Sequence, residues 1–143
     1  MMVKTVLLSC SPGRAFALFT EHAGEWWPAG RRHSSDPAST IRVEATGRFF
    51  ERASDGTEID LGVVRVYTPP RRLVLDWYPG TGPQQPTRVE VTFEAVEGGT
   101  RVTVAHDAGP AGPDLFERTA PRFAASWDMV LAALAGHAAG ALD

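Results

Sequence analysis

The sequence predicts an α+β fold in which a curved antiparallel β-sheet wraps around one long C-terminal α-helix, with two short helices after the first strand. Three observations predict it. Apolar and polar residues alternate with period two through much of residues 40–106, the mark of strands with one dry and one wet face. Short turn-forming segments separate these runs, so consecutive strands pair antiparallel. Near the C-terminus, Phe123, Trp127, Val130, Leu131 and Leu134 recur at the spacing of one helical stripe, which gives the dry face its cover.

Taken in order, Val3 to Leu8 is β-branched and aliphatic and reads as the first strand. Ser11-Pro12 opens a helix, because a serine oxygen caps free amides and proline's fixed φ suits the first helical position. Ala15, Phe16, Leu18 and Phe19 supply its apolar stripe. Thr20-Glu21 reads as a second cap, starting a short helix that runs to Trp26-Trp27 and stops at Pro28. Residues 28–39 are polar and rich in turn formers, a long loop that is either an entrance lid or a crossover without a role.

The strands follow. Ile41, Val43 and Ala45 alternate with Arg42, Glu44 and Thr46, and Gly47 permits a bend before Arg48 to Arg52. Asp55-Gly56 is a hairpin signal, followed by strands over Ile59–Tyr67 and Arg72–Tyr78. The proline- and glycine-rich segment 79–86 is expected to project from the sheet. Beyond it, Val89, Val91, Phe93 and Ala95 share one face, Glu97-Gly98-Gly99 turns the chain, and Arg101 to His106 carries Val102 and Val104 inward. Ala120-Pro121 marks the start of the last helix, with no breaker until Gly136 and Gly140. No repeat or linker divides the chain, so residues 1–143 are expected to form one domain.

Composition narrows the function classes. The chain has 14 Lys+Arg against 17 Asp+Glu and a net charge of −3, which offers no broad footprint for nucleic acid. The local basic cluster Arg31-Arg32-His33 reads as solvated surface. The one cysteine, Cys10, excludes an internal disulfide. With no signal peptide or membrane span in the pattern, a cytoplasmic location without membrane insertion is expected by elimination.

Several motifs, in this order, resemble a known family. They are Gly47-Arg48-Phe49-Phe50-Glu51-Arg52 with Asp55-Gly56, then Gly62-Val63-Val64, then Pro69-Pro70-Arg71-Arg72-Leu73-Val74-Leu75-Asp76-Trp77. Pro86 to Phe93, Gly99 to His106 and Ser126-Trp127 with Val130-Leu131 complete the set. Together they resemble the SRPBCC superfamily (START-like, birch-pollen-allergen-like), and within it the homologue domain of the activator of the heat-shock-protein-90 ATPase. The resemblance covers nearly the whole chain. It implies the helix-grip fold with a cavity between sheet and long helix. It leaves activity open, because the superfamily includes carriers, cyclases, receptors and cochaperone domains. Residues 108–118 depart from the family pattern in their Gly/Pro content.

The expected function is a small-molecule binding module, a carrier or sensor whose cavity takes a hydrophobic or aromatic ligand. Trp26, Trp27, Phe49, Trp77, Phe93, His106, Phe123, Trp127 and Leu131 are the candidate lining. The competing account is that these rings fill the core, and Gly47 and Gly62 would provide the curvature that decides. Two alternatives are a chaperone-associated protein of the Hsp ATPase-activator type, and a cyclase- or hydrolase-like enzyme using His106 with Arg48 or Glu51. His106 shares the face of Val102 and Val104 and could relay protons, although such a residue is more often a hydrogen-bonded core or rim histidine. No catalytic constellation is legible, no metal spacing links His22, His33, His106 and His137, and no cofactor motif appears. Opposite its aromatic stripe the last helix carries Ala125, Met129, Ala132 and Ala133. That face is an expected homodimer contact, with alanine's helix propensity as the other explanation.

Overall fold

The computed structural model describes residues 1–140. β1 (Met2–Leu8) and α1 (Pro12–Thr20) are followed by single turns of 3-10 helix at Ala23–Glu25 and Ala29–Arg31. A meander comes next: β2 (Thr40–Val43), β3 (Arg48–Arg52), β4 (Glu58–Thr68), β5 (Arg72–Trp77), β6 (Thr87–Val96) and β7 (Gly99–Asp107). After one more 3-10 turn, α2 (Pro113–Ala139) ends the described chain. The sheet has seven strands in the order β1-β7-β6-β5-β4-β3-β2, all antiparallel. It curls into a half-barrel around α2, the α+β helix-grip fold.

The alternation works as expected on the central strands. Val89, Val91 and Phe93 of β6 and Val102 and Val104 of β7 are buried on the concave face. There they share one core with Phe123, Trp127, Val130, Leu131 and Leu134 of α2. The convex face is held by cross-strand ion pairs. Asp76 lies outward as alternation requires, yet it is buried, because Arg65 and Arg88 close over it from both sides at 2.5 and 2.8 Å. Phe50 is covered in the same way, with the Arg48 guanidinium 3.9 Å above its ring.

Curvature is built at Gly62, which pairs with Phe49 on one side and Trp77 on the other. A Cβ there would stand 2.1 Å from the Asp76 carbonyl oxygen. The missing side chain lets the Phe49 and Trp77 rings stack with centroids 5.0 Å apart, beside a register shift between Phe49 and Phe50.

Three local expectations need correction. The second short helix is present but shorter than expected, a 3-10 turn over Ala23–Glu25, and Thr20 does not cap it: the Thr20 hydroxyl donates back to the Phe16 carbonyl at 2.7 Å. The long helix begins at Pro113 instead of Ala120-Pro121. Pro121 sits inside it, and both Pro121 and Glu117 are exposed, so the carbonyl left without an intrahelical donor lies on the wet side. Segment 79–86 stays out of the sheet with residues 83–85 exposed, as expected, but its start rests on α2 instead of projecting. Gly80, at φ +91°, touches the Phe123 ring so closely that a Cβ would stand 2.7 Å from it.

Candidate functional site

The site begins with the loop between Pro28 and Ser39, which is pinned. Arg32 donates to the carbonyls of Gly24, Trp27 and Ser39 at 2.7–3.0 Å. From the concave side of β3, the Glu51 carboxylate accepts the backbone N–H groups of His33 and Ser34 at 2.8 and 2.9 Å. Glu51 is fully buried. Burial alone would raise its pKa, but the hydrogen bonds from Ser34 and His33 outweigh that and hold it below the ordinary carboxylate value. The loop is thus a fixed roof rather than a loose crossover.

Beneath the roof lies an aromatic relay. Phe19, Trp26 and Trp27 lead to Trp77, and Trp77 packs on Trp127 at 5.0 Å. Behind these two indoles sits His106, fully buried and 4.2 Å in centroid distance from Phe123. Its polar atoms are spoken for. The Trp127 indole N–H donates to His106 Nδ1 at 3.0 Å. Indole nitrogen only donates, so Nδ1 carries no proton. The Nε2–H then donates to Thr87 Oγ1 at 2.7 Å. Burial pushes the imidazole pKa down to about 4, so His106 is neutral at pH 7 and works as an internal strut for Trp127.

In front of the same indoles the structure opens. A cleft of about 250 Å³ lies between α2, the roof and the Pro79-Gly80 turn. Trp27, Trp77, Phe123 and Trp127 border it, together with Arg31, Arg32, His33, Thr119, Arg122 and Ser126. Of the residues that sequence marks for a cavity, Trp27, Trp77, Phe123 and Trp127 face this space. Trp26, Phe49, Phe93, His106 and Leu131 do not border it and are packed in the interior. Arg48 and Glu51 are not brought to His106: Arg48 pairs with Glu58 and Asp60 on the convex face, and Glu51 holds the roof.

The rim residues Arg31, His33, Arg122 and Ser126 come from segments far apart in sequence, so no local pattern exposes them. The one available signal was the basic cluster at 31–33. On the helix face expected to form a dimer contact, Ala125, Met129 and Ala132 are exposed, Ala133 is half-buried, and the Met129 sulfur receives a hydrogen bond from Arg31. Among the described residues no three His, Cys, Asp or Glu side chains converge as metal ligands. No helix among them is long and apolar enough to cross a membrane.

Comparison with known proteins gives a consistent picture. A family model described as activator of Hsp90 ATPase homolog 1-like protein matches residues 9–139. No curated protein matches the sequence. Among solved structures, the chain is similar to CalC from Micromonospora echinospora, described as a self-sacrificing resistance protein. The identity is 25% with a TM-score of 0.75, covering 96% of this chain and 92% of that one. A protein from Rhodobacter sphaeroides is 23% identical with a TM-score of 0.69, over 98% and 92% of the two chains. The anthrahydroquino-gamma-pyrone synthase Txn09 is 24% identical with a TM-score of 0.61, over 94% of each. The last two likenesses concern the fold.

Proposed function

The chain belongs to the family of activator of Hsp90 ATPase homolog 1-like proteins, and from that premise we propose that it is a binding module for a small, flat aromatic molecule. The observation that carries this reading is the cleft walled by Trp27, Trp77, Phe123 and Trp127 at the open end of the grip. Its volume of about 250 Å³ falls just below the usual range of ligand sites, which begins at about 300 Å³, so one or two fused rings suit it. Indole faces supply flat apolar contact, and offset stacking against them favours an aromatic guest.

Binding without turnover fits the site better than catalysis. The one buried histidine is neutral, sealed behind Trp127 and committed to Thr87.

Three of the four tryptophans border the cleft, so intrinsic fluorescence reports its occupancy directly. A screen of one- and two-ring aromatics should quench that fluorescence saturably and raise the melting temperature by linkage. Ser126→Trp, which places a ring in the cleft, should abolish both signals. If Ser126→Trp binds every hit as well as the parent protein, the cleft is not the site.

A further inference from the structure

Resting on that reading, we propose that the molecule taken by the cleft is an aromatic anion, with its negative group held at the mouth by Arg31 and Arg122. The argument starts from the distribution of charge. The chain as a whole is acidic, at −3, yet the cleft lining contains three arginines and a histidine and no aspartate or glutamate.

These arginines also differ from those of the sheet. Every arginine that lies in a strand is ion-paired with a carboxylate. Arg31 and Arg122 have no carboxylate partner among the described residues. Arg32 is spent on backbone carbonyls, and Glu51, which stands 3.9 Å from the His33 ring, is taken up by the N–H groups of His33 and Ser34. Two guanidinium groups therefore remain uncommitted at the mouth.

Arg31 carries a second sign. Its Nη2 reaches only the weak acceptor Met129 Sδ at 3.4 Å. Its Nε is buried with no hydrogen-bond partner among the described residues. A buried donor left unsatisfied is costly and needs an explanation. A carboxylate or sulfonate entering beside Trp77 and Trp127 would supply the acceptor. The planar fork of arginine matches such an anion, and the charge assistance makes the bond a strong one.

The test uses two probes with one skeleton. Naphthalene-1-sulfonate carries the anion, and naphthalene-1-sulfonamide is its neutral counterpart, each read by tryptophan quenching. Titrated against the intact protein at low salt, the sulfonate should bind about tenfold more tightly, the gain expected of a charge-assisted contact. Added salt should erode that preference and leave the neutral probe unaffected. Arg122→Gln and Arg31→Gln should bring the sulfonate to the level of the neutral probe, whose unchanged affinity shows that the cleft is intact. Equal binding of the two probes, or a preference that survives both substitutions, would overturn the inference while leaving the aromatic site standing. If neither probe binds the parent protein, the reading of the cleft itself falls, and the inference with it.

Discussion

Behind Trp77 and Trp127, the buried rings of His106 and Phe116 pack against each other and against Phe123, which also borders the cleft. In front of the same two indoles, the cleft opens between α2 and the 28–39 loop. The two regions share walls, and both are rich in aromatic rings. They differ in how their polar atoms are satisfied. Behind, each nitrogen of His106 has a partner inside the protein. In front, Arg31 has a buried nitrogen without one, and Arg122 has no ion pair among the described residues. Aromatic content alone thus does not separate the two regions; the unsatisfied polar groups beside the rings do.

The largest expected effect would break the region behind. Trp127→Ala removes a buried indole, its stacking on Trp77 and the donor to His106 Nδ1. Loss of such a ring costs about 3–5 kcal/mol, to be read from urea unfolding. A loss below about 1 kcal/mol would mean that the interior is not closely packed.

A smaller effect sharpens the role of the strut. His106 has a folded pKa of about 4, against about 6.5 in the unfolded chain. The unfolded state therefore binds the proton first. Stability from this residue is complete above pH 6.5, falls as the pH drops towards 4, and levels off below. Linkage puts the total loss at about 3 kcal/mol. His106→Gln keeps an acceptor and a donor but does not titrate. The stability difference between parent and variant, followed across that window, should trace the loss. A difference that does not change with pH would show that His106 is not held neutral.

The smallest effect belongs to the mouth. Arg122 is exposed and makes no ion pair among the described residues, so Arg122→Gln should shift stability by less than about 0.5 kcal/mol. A larger loss in the same unfolding assay would mean that the rim is structural and would dissolve the contrast between the two regions.

Much of the fold was legible because strands and the stripe of α2 obey simple periods. Val89, Val91, Phe93 and the Phe123–Leu134 series are buried as their spacing requires. The start of α2 was misread because two prolines compete for it. Pro113, after Gly112, takes the N-terminal position, and Pro121 is tolerated inside only because its side of the helix is wet. The site was less legible. Alternation collects the rings on one face but cannot say which of them leave room, since that depends on where Gly62 and the register shift at Phe49 bend the sheet. One signal was available in Glu51: two residues beyond Phe49 it shares the apolar face, where an acid needs a dedicated partner. That partner, the backbone of the roof, lies 17 and 18 residues away in the chain, and no local motif joins them.

The anchoring of the roof has a consequence for how this protein could diversify. Glu51 grips main-chain amides at positions 33 and 34, groups that every residue except proline possesses. These backbone bonds do not depend on which side chains those positions carry, although the Ser34 hydroxyl adds a bond of its own to the carboxylate. Apart from Arg32, whose guanidinium ties the loop to Gly24, Trp27 and Ser39, side chains over the entrance can therefore be exchanged, by drift or by design, with the main-chain anchor kept. One scaffold with a fixed aromatic floor could then be fitted with many different rims, each selecting its own guest.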